Sequence, residues 1–67
     1  MAKIRAALKA AREAAGLKQY QLAAKLGITA PVLSEIETGR RGLSDELKAQ
    51  IAGILGRTVQ ELFPGET

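Results

Sequence analysis

A chain of 67 residues with no cysteine and no histidine has no disulfide staple, no thiolate or imidazole for a metal, and no Ser-His or Cys-His nucleophile pair. A single domain of this size is expected to bury only about 60% of its unfolded surface, with a core worth on the order of 3–5 kcal/mol. No apolar run approaches the roughly 18 to 20 residues of a membrane span, and the charge-studded, alanine-rich residues 1–15 lack the apolar stretch of a signal peptide, so a cytoplasmic, metal-free and cofactor-free module is expected.

The net charge is +3, unevenly spread. Residues 1–25 hold Lys3, Arg5, Lys9, Arg12, Lys18 and Lys25 against Glu13, which is +5; Arg40 and Arg41 balance Glu35 and Glu37; from residue 42 on, Lys48 and Arg57 face Asp45, Glu46, Glu61 and Glu66, which is −2. A basic front and an acidic back suit a domain that lays one side on a polyanion, although any one of these cations taken alone reads as solubilising surface.

In chain order, residues 2–15 are Ala, Leu, Lys, Arg and Glu with little else and predict a first helix, with Ile4, Ala7, Leu8, Ala11 and Ala15 along one face. Gly16 ends it and Leu17 fills the corner. A second helix starts at Gln19 with Leu22, Ala23 and Leu26 as its apolar stripe. Lys18 before it offers no side-chain oxygen as a cap, which leaves the first N–H groups to water or a phosphate. Gly27 supplies a positive φ at no steric cost, so the helix stops and Ile28 turns back into the core. Thr29 caps a third helix whose apolar positions Val32, Leu33 and Ile36 run to Gly39. Pro31 is tolerable in its first turn, where an N–H would have no intrahelical partner, but it restricts Ala30 and could move the cap by one residue. Two helices crossing over so short a turn must approach closely, which the small Ala23 opposite Leu33 permits.

After Gly39 comes a basic loop, Arg40, Arg41 and Gly42. Ser44 caps a fourth helix, with Asp45 and Glu46 at the positive end of its dipole and Leu43, Leu47, Ile51, Ile54 and Leu55 as a buried stripe closed by Gly56. Thr58 and Glu61 form a capping box for a one-turn fifth helix carrying Val59, Leu62 and Phe63, stopped by Pro64 and Gly65. The expected fold is all-α, five helices in one domain over 1–67.

The pattern Gln19, Leu22, Ala23, Gly27, Ile28, Leu33, Ser34, Ile36, Glu37 and Gly39 resembles the helix-turn-helix of the phage repressor and Cro-like (XRE-type) DNA-binding family, with the motif over 19–39. The resemblance extends to Ile4, Arg12, Gly16 and Leu17 before the motif and to Ile51, Ala52, Leu55, Gly56, Glu61, Leu62 and Phe63 after it. It implies a lambda-repressor-like fold in which the second and third helices form the motif. By the same resemblance, Arg12 pairs with Glu37 as a structural ion pair, and Ala30, Pro31, Val32, Ser34 and Glu35 stand at the base-reading positions. Lys18, Gln19, Thr29, Arg40 and Arg41 stand where phosphates are bound. None of the base-reading positions is Arg, Lys, Asn or Gln, a departure from what a recognition helix usually offers. Glu35, if ionised, only accepts hydrogen bonds and so would favour cytosine N4 first and adenine N6 second; its alternative is a solvated surface acid. Tyr20 either flanks a phosphate or shields the first helix. Leu62 and Phe63 read as core lids or as a dimer contact.

The function expected is sequence-specific binding of double-stranded DNA by a homodimer on a palindromic operator, as a transcriptional repressor, prokaryotic or phage-encoded and associated with the nucleoid, with no membrane contact and no evident small-molecule effector. The alternative is a helix-turn-helix module for protein contact, such as an antitoxin or a polymerase adaptor. An enzyme is not expected: Glu35 and Glu37, two apart, point in different directions, and Asp45 with Glu46 are explained by the helix dipole.

Overall fold

Residues 4–66 are described by a computed structural model, and every regular element among them is helical: α1 Ala6–Ala14, α2 Gln19–Leu26, α3 Ala30–Glu37, α4 Asp45–Leu55 and α5 Val59–Leu62. The all-α, five-helix architecture is thus the one expected, folded within 26 × 23 × 21 Å. Local chemistry sets most of the boundaries. Thr29 Oγ1 accepts from the Val32 N–H at 3.4 Å and Ser44 Oγ from the Leu47 N–H at 3.1 Å. At α5 the box is reciprocal: the Glu61 N–H donates to Thr58 Oγ1 at 3.1 Å while the Thr58 N–H donates to Glu61 Oε1 at 3.0 Å. At α2 only half a box exists, because an ammonium has no lone pair to offer; Gln21 Oε1 accepts from the Lys18 N–H at 2.8 Å.

The reversal between α2 and α3 rests on Gly27 at φ +73°, after which the Ile28 N–H donates to the Ala23 carbonyl at 3.0 Å. A Cβ at residue 27 would meet nothing within 4 Å, so glycine is required there by its dihedral and not by crowding. Leu22, Ala23 and Leu33 form a small buried cluster inside the motif. A larger one joins Leu8 and Ala11 of α1, Ile36 of α3, Ile51, Ala52 and Leu55 of α4, and Leu62 with Phe63 at the end of α5. Leu17, Leu26 and Ile28 pack against both, so the motif is fixed to the body of the domain.

Four expectations change. Helix α1 begins at Ala6, without a side-chain cap at Arg5, where the Arg5 N–H is taken by the Glu37 carbonyl at 2.8 Å and Ile4 is outside the helix; residues 1–3 lie outside the described part. Ile4 consequently has no place on the α1 face and is 62% exposed. Ala15 is exposed as the residue closing α1. Ile54, read as part of the buried stripe, is 36% exposed. Successive helical residues turn by about 100°, and the buried face of α4 is Lys48, Ile51, Ala52 and Leu55, which leaves Ile54 at its edge.

Of the two readings of Leu62 and Phe63, core lid or dimer contact, their burial supports the lid. At 2% and 0% exposure, both side chains close the core between α1 and α4 and present no surface to a second chain.

Candidate nucleic-acid interface

The site is anchored from below by a buried ion pair. Arg12 Nε donates to Glu37 Oε2 at 2.6 Å and Nη2 to Oε1 at 3.2 Å, a two-pronged contact, while Nη1 donates to the Leu17 carbonyl at 2.7 Å. Both residues are buried, and each charge is neutralised by the other. Gln19 Nε2 donates to Glu37 Oε1 at 3.0 Å. The last residue of α3, the last turn of α1 and the first residue of α2 are therefore tied at one carboxylate. Gln19 is held by one of its N–H groups, and an amide side chain keeps a second N–H and its carbonyl oxygen for other partners.

On α3, Pro31 is exposed and Ala30, Val32, Ser34 and Glu35 are partly so. Val32 is also packed against the main core, so only its outer edge belongs to the outward face. Thr38 Oγ1 donates to the Ser34 and Glu35 carbonyls at 2.9 and 3.2 Å and ends the helix. The chain then wraps: the Arg40 and Arg41 N–H groups both point at the Glu35 carbonyl, at 2.9 and 3.3 Å.

Glu35 and Arg41 find each other. Arg41 Nη2 and Nε donate to Glu35 Oε1 at 2.9 and 3.3 Å, with each side chain about half exposed. The expected base acceptor and one expected phosphate cation are thus partners in the free protein. Arg40, by contrast, is exposed with no ion pair among the described residues, and so are Lys9, Lys18 and Lys25.

Three residues of the surrounding framework were not visible as such in the sequence. Arg5 Nη1 donates to the Ile36 and Arg41 carbonyls at 2.6 and 2.8 Å, and its Nε and Nη2 reach the Glu66 carboxylate. Lys48 Nζ donates to the Glu66 carbonyl at 2.7 Å and lies 5.8 Å from the Phe63 ring centroid. Arg5 therefore belongs to the scaffold and not to a basic front. Lys48 had a signal: it occupies the α4 stripe with Ile51, Ala52 and Leu55. Arg5 and Glu66, 61 positions apart, had none.

Comparison with known proteins follows the same lines. A helix-turn-helix family model matches residues 8–62. The clp gene regulator ClgR from Corynebacterium glutamicum is 35% identical with a TM-score of 0.79 over 85% of this chain, which spans 61% of that structure's length. The restriction-modification controller protein C.AhdI from Aeromonas hydrophila is 32% identical with a TM-score of 0.77, over 85% of this chain and 83% of its own. A structure of FeII HppE with substrate is 30% identical with a TM-score of 0.84 over 94% of this chain, but only 37% of its own length is covered. No curated protein matches the chain.

Proposed function

Because this chain belongs to the XRE-type helix-turn-helix family, we propose that it binds double-stranded DNA sequence-specifically and represses transcription, working in the cytoplasm as a dimer on a palindromic operator. The observation that carries this reading is the presentation of α3: a glycine turn sets it against α2, the Arg12–Glu37–Gln19 network fixes both helices, and its side chains Ala30, Pro31 and Ser34 reach the surface, with Lys18 and Arg40 exposed and in no ion pair among the described residues. In the major groove, the short apolar side chains of Ala30, Pro31 and the edge of Val32 suit thymine methyls. Such contacts discriminate weakly. Affinity then falls to phosphate binding by Lys18, Gln19, Thr29 and Arg40, and specificity to two half-sites about 34–36 Å apart.

The HppE likeness reaches a minor part of that chain and carries over fold alone. Among the described residues no three of His, Cys, Asp or Glu are grouped to hold a metal, and no helix is long and apolar enough to cross a membrane.

Selection from random duplex DNA, followed by salt titration on the best site, tests the proposal. A two-fold symmetric sequence should be enriched, and Arg40→Ala should weaken all sequences alike while flattening the log–log salt slope by about 0.9. Without enrichment or salt-sensitive binding, the second reading takes over, a module for protein contact, which the lack of Arg, Lys, Asn and Gln along α3 favours.

A further inference from the structure

We propose that Glu35 is an internal phosphate mimic that masks Arg41 and so holds down the affinity of this domain for DNA of unrelated sequence; it determines specificity through charge and not by accepting a hydrogen bond from a base. This inference rests on the proposed duplex binding. Glu35 Oε1 takes both the Nη2 and the Nε donors of Arg41, the same edge of a guanidinium that grips a phosphate oxygen. The contact is not a chance meeting of two mobile side chains. The Arg41 N–H is directed to the Glu35 carbonyl at 3.3 Å, and the Arg41 carbonyl accepts from Arg5 Nη1 at 2.8 Å. Arg5 is itself held by Ile36 and Glu66. The backbone of Arg41 is thus fixed on both sides, and the loop is shaped to return its side chain onto α3.

The electrostatic consequence follows. Sequence-independent affinity grows with the number of phosphates that free cations neutralise. A guanidinium already matched by a carboxylate adds nothing to that number, so of the two adjacent arginines only Arg40 counts.

The test is a cycle of Glu35→Gln, Arg41→Ala and the double variant, titrated with salt against mixed-sequence duplex and against the selected site with all four bases at each position. Glu35→Gln keeps the size and removes the charge at an exposed site, and circular dichroism should show it folded as the parent is. Binding to mixed-sequence duplex should tighten about two- to fivefold, the range a surface ion pair spans. The salt slope should steepen by about 0.9, the order of base preference should stay unchanged, and the ratio of selected-site to mixed-sequence affinity should fall. In the Arg41→Ala background most of the gain should vanish. An altered order of preference would make Glu35 a base reader and overturn masking. So would a gain that persists in full without Arg41, which would mean general repulsion between the carboxylate and DNA, or no gain at all. Absence of duplex binding by the parent would instead overturn the DNA-binding reading on which the inference stands.

Discussion

Glu37 is asked to satisfy three donors at once, Nε and Nη2 of Arg12 and Nε2 of Gln19, at a position only 2% exposed. Removing one partner of such a pair strands the other charge and costs roughly 3–5 kcal/mol, the same order as the whole core contribution expected of so small a domain. Glu37→Ala should therefore be mostly unfolded at 25 °C, which urea denaturation followed by circular dichroism will show as a lost or strongly lowered midpoint. Arg12→Leu combined with Glu37→Leu should recover much of the loss, because an apolar pair has no stranded charge. A midpoint for Glu37→Ala equal to the parent's would mean that water already solvates the pair. This pair was legible only through the family resemblance, since Arg12 and Glu37 are 25 positions apart. Nothing local joined them. Arg5 was misread for a related reason: its partners are the Ile36 and Arg41 carbonyls and Glu66, and main-chain acceptors have no residue type to look for.

Elements were more legible than residues, because capping is written within four positions. Thr29, Ser44 and Thr58 each begin a helix where a side-chain oxygen can accept from a free N–H, and Gly27 and Gly56 each end one at positive φ. Helix α1 lacks both kinds of mark at its start, and there the expected boundary was four residues early. The box at α5 carries a pH dependence. Glu61 is held below the usual carboxylate range, first by the Thr58 backbone N–H and then by the Thr58 hydroxyl, with Arg57 adding a smaller attraction and burial opposing. A carboxyl lowered on folding stabilises the fold above its unfolded value, and the contribution fades as pH falls through the lower folded value. Melting temperatures of the parent and Glu61→Gln, measured from neutral to acid pH, should accordingly differ most near neutrality and converge on acidification. A gap that is constant with pH would show that the box acts by geometry alone.

At the scale of the molecule, the question is what α5 and the end of α4 do. Leu62 and Phe63 were ambiguous in the sequence because a lid over a small core and a seam between two copies demand the same residue types. Burial separates them: Phe63 lies under Lys48, whose ammonium reaches the Glu66 carbonyl, and the final turn is a plug. Phe63→Ala should cost about 3–5 kcal/mol and lower the melting temperature equally at every protein concentration. Ile54 is different, since it is exposed on α4 beside Gln50 and Gly53. If two copies meet there on an operator, Ile54→Glu should leave thermal melting close to the parent's, because little apolar area is lost from the core. It should still weaken binding to a full two-half-site operator much more than to an isolated half-site, since two like carboxylates would then face each other across the symmetry axis. Mobility-shift titrations on full and half operators read the two constants directly. Equal affinity for the full operator before and after the change would move the seam away from α4. Equal weakening on both DNAs would instead place Ile54 in the single-domain contact with the duplex.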